Sequence, residues 1–294
     1  MRIALIGGSG NLGSKLYLNL SKYKKVSDIV VIDYKKNLIN KKKFLKINLS
    51  KDKLKKKEIK LLKKIKIDLV FILAFDINFK NERKNYFQTG KKILKNSLKI
   101  SKILKVKNII YFSSFAVYGR KRGIITERTA PTPINNYGKL KLICENSIKS
   151  FCKKNKLFFL ILRISQVYGL NITSSIIGRF YNLKKENKMA TIVNNGNQYR
   201  DYVYINDFIY LIKKIISFEF KRNYVVNMCR GKKTKTIDII RMLKLKHINI
   251  ENKNELKYLL GDNSLLKKTF KWSPKYNVKK GLEEMINHEK NFRN

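Results

Sequence analysis

Short apolar runs alternate with longer stretches of helical pattern along the first part of the chain, and this alternation restricts the fold more than any other feature. Each run has only four or five residues, which suits a strand better than a helix. The runs are Ile3–Ile6, Ile29–Ile32, Leu69–Leu73, Ile109–Phe112 and Phe158–Leu162. Strands that are apolar along their whole length are typical of a parallel sheet with helices on both faces. The pattern therefore predicts an α/β fold with a doubly wound parallel sheet.

A glycine-rich loop follows the first apolar run directly and leads into a helical pattern. It reads Gly7-Gly8-Ser9-Gly10-Asn11-Leu12-Gly13. Glycines at this spacing allow a sharp turn, a close approach of the backbone to a phosphate and tight packing of helix on strand. The helix N-terminus adds N–H groups and a partial positive charge. Strand, loop and helix in this order predict a Rossmann dinucleotide-binding domain, with Gly7 and Gly10–Gly13 around the pyrophosphate.

A carboxylate stands at the end of the second run. Asp33 comes 20 residues after Gly13, where its side chain can accept hydrogen bonds from adenosine ribose hydroxyls and repel a 2′-phosphate. This position favours NAD over NADP as the cofactor. The alternative interpretation of Asp33 is a residue that merely solvates the end of a strand.

Four tyrosines are each followed by a lysine four residues later, which places both side chains on one helical face. The pairs are Tyr137/Lys141, Tyr181/Lys185, Tyr210/Lys214 and Tyr276/Lys280. Chance alone predicts about three such pairs in a chain so rich in both residues, so the spacing by itself is uninformative. Tyr137 and Lys141 differ by their context. They open a helix after the proline-containing loop 130–133, and the preceding strand ends in Ser113-Ser114, at the sheet edge where α/β proteins place their chemistry.

These motifs together resemble those of the extended short-chain dehydrogenase/reductases, in the NAD-dependent epimerase/dehydratase family that acts on sugar nucleotides. The resemblance covers nearly the whole chain. Besides the glycine loop and the Tyr137/Lys141 pair, it rests on Ser113–Gly119, Leu162–Gly169, Tyr199–Asp207 and Trp272-Ser273-Pro274.

The resemblance implies a catalytic set of Ser114, Tyr137 and Lys141. Tyr137 would take the proton of a sugar hydroxyl while a hydride moves to the cofactor. A free phenol has a pKa of about 10 and is too weakly ionised at neutral pH. We therefore expect Lys141, one turn away and in contact with the nicotinamide ribose, to lower the pKa of Tyr137 together with the positive ring of the cofactor. Ser114 is expected to hydrogen-bond the reacting hydroxyl and the ketone formed from it.

Further contacts are implied by the same resemblance. The substrate-binding positions are Ser114, Gln166 and Arg200, and the arginine is expected to bind the substrate diphosphate. The remaining cofactor-binding positions are Asn48, Leu49, Leu73 and Ala74.

Several positions depart from the family pattern. Gln166 stands where the family usually has a substrate-contacting Asn, Asn48 replaces a common Asp near the adenine, and Phe87 or Gln88 occupies a place where Asn is usual. Phe115 and Ala116 occupy the positions where sugar-nucleotide 4,6-dehydratases carry Asp and Glu. Because those carboxyls serve as acid and base for the removal of water, we do not expect dehydration.

The leading functional hypothesis is an NAD-dependent nucleotide-sugar epimerase that works by transient oxidation to a keto sugar and return of the hydride. One alternative is an NAD(P)-dependent reductase or dehydrogenase of a nucleotide sugar or related hydroxyl compound. An alternative of another class is a non-catalytic Rossmann protein that binds anionic partners.

The alternation of runs loosens around Tyr168, and Val225–Met228 is the clearest later strand. We therefore predict an NAD-binding Rossmann domain over 1–170. A smaller, mainly substrate-binding region is expected over 171–294, with the possibility that part of it returns to the first sheet. The family resemblance further implies a homodimer.

The formal net charge of +47 is the most unusual number of the composition. A basic balance ordinarily suggests nucleic acid or an anionic membrane as partner. Lysines occur throughout the chain, however, together with many Ile, Asn, Tyr and Phe and only three prolines. We therefore favour a compositional drift in an AT-rich genome over a specific nucleic-acid site, with weak and salt-sensitive binding of anions as its consequence.

Rare residue types exclude other classes of site. Three cysteines do not make a disulfide framework, and two histidines, His247 and His288, leave little for a metal site or a Ser-His triad. No apolar run approaches the length of about 18 residues that crosses a bilayer. The sequence thus predicts a cytoplasmic protein without a metal or a membrane insertion.

Overall fold

The apolar runs of the sequence become strands of one seven-stranded sheet. The computed structural model describes residues 1–35, 44–75, 85–121, 123–252 and 259–290. The strands are β1 (Arg2–Ile6), β2 (Asp28–Asp33), β3 (Phe44–Lys46), β4 (Leu69–Ile72), β5 (Asn108–Ser114), β6 (Ile124–Ile125), β7 (Phe158–Ile164), β8 (Gln166–Tyr168), β9 (Ala190–Val193), β10 (Tyr199–Tyr204), β11 (Tyr224–Met228), β12 (Lys233–Lys235), β13 (His247–Ile250) and β14 (Leu260–Gly261). The helices are α1 (Asn11–Leu20), α2 (Lys56–Lys63), α3 (Tyr86–Ile103), α4 (Asn136–Asn155), α5 (Ile176–Lys185), α6 (Ile205–Ile216), α7 (Thr236–Leu243), α8 (Ser264–Phe270) and α9 (Val278–Lys290).

The large sheet has the strand order β11-β7-β5-β4-β1-β2-β3. β1 pairs in parallel with β2 on one side and with β4 on the other, so that Leu5 is level with Val31 and Phe71. The pairs β4–β5 and β2–β3 are parallel as well. The predicted α/β fold with a parallel Rossmann sheet is therefore confirmed. Strand β3 was not predicted, because its three residues are too few for a recognisable apolar run.

The sheet is buried on both faces because its strands are apolar throughout. All four residues of Ile3–Ile6 are inaccessible to solvent. Successive side chains of a strand point to opposite faces, and Ala4 and Ile6 thus join one core cluster with Leu98 of α3 and Ile148 of α4. The two helices that carry these residues cover the face of the sheet near the predicted site.

The chain divides into two compact units and passes between them more than once. The first unit comprises residues 1–119, 131–163 and 215–226, and the second comprises 120–130, 164–214 and 227–294. The predicted Ser114, Tyr137, Lys141 and glycine loop belong to the first unit, whereas Gln166 and Arg200 belong to the second. The functional boundary expected near Leu170 stays a prediction.

Among the residues that the structure describes, the second unit contains three small sheets, β12-β10-β8, β13-β9 and β14-β6. Within this unit, Asp207 forms hydrogen bonds with a segment that is distant in the sequence. Its carboxylate accepts hydrogen bonds from the backbone N–H groups of Lys275 (2.8 Å) and Tyr276 (3.0 Å), and its carbonyl accepts one from Trp272 Nε1 (3.0 Å). Hydrogen bonds thus join the end of the Tyr199–Asp207 segment to Trp272 and to the residues just after Pro274.

Within the described residues, no helix combines the length and the apolar composition that a membrane span requires. The same part of the chain holds no group of three or more His, Cys, Asp or Glu side chains suited to a metal ion. Cys144, Cys152 and Cys229 are buried free thiols.

Candidate active site

The glycine loop is pressed against the carboxyl end of β4. Gly7 has a φ of +82°, and a Cβ at this position would collide with the backbone of Ala74. The N–H groups of Leu73 and Ala74 both donate to the carbonyl oxygen of Ile6, at 2.8 and 2.9 Å. The predicted cofactor residues of the loop and of β4 therefore form one continuous surface, and only glycine fits at position 7.

Helix α1 starts from this loop without a side-chain cap. A Cβ on Gly13 would lie 2.6 Å from the backbone of Gly8, so the first turn packs directly on the loop. Gly10, the residue before the helix, has open space instead: the nearest atom to a Cβ built there is the Gly7 carbonyl oxygen, 3.7 Å away. Tight packing on one side and open space at a helix N-terminus fit a pyrophosphate held by backbone N–H groups.

Asp33 contacts the glycine loop as well as ending β2. One carboxylate oxygen accepts from the N–H of Ser9 (3.0 Å) and the other from the N–H of Tyr34 (2.7 Å). Because Asp33 contacts the glycine loop, it does more than solvate the end of a strand. Each carboxylate oxygen keeps acceptor capacity for a ribose hydroxyl, which fits the predicted NAD. Asn48 is exposed, with Oδ1 accepting from Ser50, and its role towards the adenine stays a prediction.

Leu49 lies at the same end of the sheet. Its side chain is buried, and its carbonyl oxygen accepts a hydrogen bond from Asn96 Nδ2 of α3 (2.9 Å). This contact fixes the segment that follows β3.

Ser114 and Tyr137 meet where β5 ends and α4 begins. Ser114 Oγ accepts from the N–H of Ala116 (3.2 Å) in the 3₁₀ turn that follows β5. Helix α4 is capped by Asn135, whose Oδ1 accepts from the N–H of Gly138 (2.8 Å). A Cβ on Gly138 would collide with the carbonyl oxygen of Ala116, so glycine lets the helix approach the turn closely. The side chains of Tyr137 and Ser114 hydrogen-bond each other.

Lys141 is buried below this pair, with only 4% of its surface exposed. Its Nζ donates to the carbonyl oxygen of Phe112 (2.7 Å) and lies 5.8 Å from the centroid of the Tyr137 ring. Burial lowers the pKa of Lys141 to about 8, and Cys144 and Glu145 partly oppose that effect. The side chain can therefore gain or lose its proton at a moderately alkaline pH.

In the protein without cofactor, Lys141 does not offset the effect of burial on the pKa of Tyr137, and the lowering expected from Lys141 together with the positive nicotinamide ring stays a prediction. Burial raises the pKa of Tyr137, and the group that partly opposes burial is Ser114, through its hydrogen bond. The physical reason is desolvation, because a phenolate removed from water loses more solvation free energy than a single hydrogen bond from the Ser114 hydroxyl restores.

A buried ion pair lies behind the predicted catalytic residues. Arg163 of β7 binds Glu145 of α4 with Nη2 to Oε2 at 2.7 Å and Nε to Oε1 at 3.1 Å. Ser113 Oγ donates to Glu145 Oε1 (2.5 Å), and Arg163 Nη1 donates to the Tyr118 hydroxyl (2.9 Å). This network was not predicted from the sequence. Its signal was an arginine inside an otherwise apolar run, since a buried charge requires a partner.

Phe75 is a further residue of the site that was not predicted from the sequence. It follows Ala74 at the carboxyl end of β4, and its ring lies against both Lys141 and Tyr137. An aromatic residue directly after a strand, at the edge of the sheet that carries the chemistry, was the available signal.

Gln166 and Arg200 lie on neighbouring strands of the second unit. Gln166 of β8 is level with Tyr202 of β10, two residues after Arg200. Arg200 is 9% exposed, and its Nη1 donates to the carbonyl oxygen of Tyr199 (2.9 Å). Their contacts with a substrate stay predictions.

The chain is similar to known proteins in family, in sequence and in structure. The family model described as "NAD dependent epimerase/dehydratase family" matches residues 3–229. A dTDP-D-glucose 4,6-dehydratase of Dictyostelium discoideum is 32% identical over 237 residues, which are 71% of this chain and 54% of that protein. A putative UDP-glucose 4-epimerase of Methanocaldococcus jannaschii is 24% identical over 310 residues, at 98% of both. The chain thus spans about half of the first relative and nearly all of the second.

Solved structures resemble the chain over its whole length. UDP-glucuronic acid 4-epimerase from Bacillus cereus, in complex with UDP-glucuronic acid and NAD, matches with a TM-score of 0.85 and 25% identity over 99% of this chain and 100% of that one. UDP-glucose 4-epimerase from Thermotoga maritima, with UDP-glucose, matches with a TM-score of 0.84 and 21% identity over 100% of both. At that identity the second likeness shows the fold alone.

Proposed function

The chain belongs to the NAD dependent epimerase/dehydratase family, and on that premise we propose that it is a nucleotide-sugar epimerase that inverts a sugar carbon by transient oxidation. A UDP-linked sugar with inversion at C4 is the first substrate class to test. Support comes from the relatives that match nearly the whole chain, since two of them are named as UDP-glucose epimerases.

The observation that carries the proposal is the hydrogen bond between Tyr137 and Ser114, with Lys141 buried one helical turn away. The chemistry that NAD supplies when bound is the removal and return of a hydride. Tyr137 takes the proton of the sugar hydroxyl and later returns it. Ser114, half-buried beside it, orients that hydroxyl and stabilises the charge that develops on its oxygen.

Lys141 supplies the cation that this chemistry needs. The pKa of Tyr137 is raised by burial, so its phenolate forms only with a positive charge nearby. Lys141 lies within 5.8 Å of the Tyr137 ring and is shielded from solvent, which strengthens its electrostatic effect.

The two residues after Ser114 favour epimerisation over dehydration. Phe115 is buried and Ala116 is small, so neither offers a carboxyl that could protonate a leaving hydroxyl or abstract a carbon-bound proton. The proposal therefore differs from the activity named for the Dictyostelium relative.

The test is a screen of UDP-, dTDP-, GDP- and CDP-sugars, with the sugar stereochemistry followed by NMR and NADH followed by absorbance. We expect conversion to an epimer without net formation or consumption of NADH. Tyr137→Phe should keep the fold and NAD binding while turnover falls by about 10²- to 10⁴-fold, the usual contribution of a general base.

Tyr210→Phe is the matched control, because Tyr210 and Lys214 have the same spacing on α6 outside the predicted site. It should retain full activity. Net oxidation or reduction of the sugar, loss of water from it, or an active Tyr137→Phe protein would overturn the proposal.

A further inference from the structure

Three aromatic rings surround the ammonium group of Lys141. The Nζ atom lies 4.1 Å from the ring centroid of Phe75, 4.9 Å from that of Tyr111 and 5.8 Å from that of Tyr137. A cation within about 6 Å of a ring centroid is attracted by the negative face of the ring, and more strongly where water is excluded. Phe75 is the nearest of the three and has no role in the proposed proton transfer.

No carboxylate among the described residues forms an ion pair with Lys141. Glu145, one turn further along α4, is bound by Arg163 of β7 and by Ser113. The other titratable groups around the ammonium are Tyr137 and Cys144 on α4 and Tyr111 on β5. The ring faces and the Phe112 carbonyl oxygen therefore contact the buried charge directly, and the electrostatic effects of Cys144 and Glu145 add to the stabilisation that they provide.

Phe75 also contacts the ring of Tyr137. The two rings meet edge to face, with centroids 5.2 Å apart and planes at 82°. On its other side, Phe75 meets Tyr86 of α3 with centroids 6.4 Å apart. The preceding residue, Ala74, is anchored to Ile6 by a backbone hydrogen bond. The Phe75 ring is thus held by neighbours on both sides while it touches two predicted catalytic side chains.

We propose that Phe75 is a positioning residue of the active site, whose ring holds the Lys141 ammonium over its face and packs edge to face with the Tyr137 ring, so that the two catalytic side chains keep their relative position. This inference rests on the proposed function for its catalytic consequence. The contact with the lysine itself belongs to the protein without substrate or cofactor.

The test replaces Phe75 by mono-, di- and trifluorophenylalanine, which keep the shape of the ring and progressively weaken its negative face. In the protein without cofactor, urea unfolding is measured between pH 7 and pH 11. We expect trifluorophenylalanine at position 75 to lower the folded-state pKa of Lys141 by about one unit. The mono- and difluorinated side chains should lower it by less. The stability loss is then present while Lys141 is charged and disappears at high pH.

Two controls separate this contact from general effects of fluorine. The same replacements at Phe71, a buried ring of β4 that packs edge to face with Phe112, should leave the pH dependence unchanged. In a Lys141→Met background, fluorination of Phe75 should have no pH-dependent effect. In the cofactor-loaded enzyme, fluorination of Phe75 should move the alkaline limb of the pH profile of kcat/KM to lower pH, by about as much as the pKa of Lys141 falls.

Equal pH dependence for all four rings at position 75 would overturn the inference, as would a shift that persists without Lys141. A shift in the unfolding data with no turnover of any nucleotide sugar would instead refute the proposed function and leave the contact established. A shift in unfolding with an unchanged kcat/KM profile would overturn the catalytic part of the inference.

Discussion

At the scale of single residues, the burial of Lys141 couples the chemistry of the site to the stability of the fold. Its folded-state pKa of about 8 is lower than the ordinary value of 10.5, so the unfolded chain binds more protons between these two values. Stability therefore rises as pH increases through this window, and the full gain is present only above about pH 10.5.

We expect the unfolding free energy of the native protein, relative to Lys141→Met, to rise by about 3 kcal/mol between pH 8 and pH 10.5. Below pH 8 the folded protein must hold a buried cation that the variant lacks. Urea titrations at several pH values measure the difference. Lys139→Met, at an exposed position of the same helix, is the control and should show no such trend. A difference that does not vary with pH would show that Lys141 keeps its ordinary pKa.

Sequence context, rather than spacing, identified the tyrosine and lysine of the site. Tyr181 and Lys185 have the same spacing, but both contact Glu289 in the second unit. Tyr137 could be selected because a strand ending in serines preceded it. The sequence places Phe75 at the right edge of the sheet but does not give its contacts, because the direction in which a ring points after a strand depends on neighbours from α3 and α4 that are distant in the sequence.

At the scale of secondary-structure elements, the pair of Glu145 and Arg163 ties β7, α4 and the end of β5 together. Both side chains are almost inaccessible to solvent. A buried pair adds little net stability compared with apolar residues, whereas one member left alone is costly. The main effect of the pair is therefore to specify which elements pack against each other, and its net contribution to the free energy of unfolding is small.

Glu145→Gln should destabilise the protein by about 3–5 kcal/mol, because Arg163 would keep its charge without a carboxylate. The double variant Glu145→Met with Arg163→Met should recover most of this loss, since both charges are removed and the volume is kept. Denaturant unfolding at neutral pH measures all three proteins. A double variant as unstable as the single one would mean that the ion pair itself stabilises the fold.

The strands of the large sheet were predictable where burial on both faces made them apolar throughout. The predicted runs became β1, β2, β4, β5, β7 and β11. The short strands of the second unit were less visible, because pairs such as β10 and β12 place Tyr, Arg and Lys residues next to each other. Their pairing depends on contacts between distant segments, which an apolar pattern does not encode.

At the scale of the whole molecule, the formal net charge of +47 predicts an attraction for anions. If the lysine excess is a compositional drift, the attraction for anions is spread over the surface and depends on ionic strength. Such binding requires no specific binding site and is weakened by added salt, whose ions compete for the charged groups.

We expect the protein to bind duplex DNA and anionic vesicles at about 20 mM salt and to release both by roughly 500 mM salt. The affinity for DNA should fall linearly with salt on a double logarithmic scale and should not depend on base sequence. Fluorescence anisotropy and vesicle co-sedimentation measure the two cases. Tight binding that persisted near 1 M salt would point to a specific site and refute the drift.

Strand β11 has a consequence for the order in which the chain can fold during synthesis. It lies next to β7 in the sheet but begins about 60 residues after β7 ends, and Asn223, just before β11, accepts a hydrogen bond from the N–H of Phe159. At about 5–20 residues per second, a ribosome needs roughly 3–12 s to supply that segment. During this interval the nascent chain carries β7 as an open apolar edge, the kind of strand on which aggregation starts.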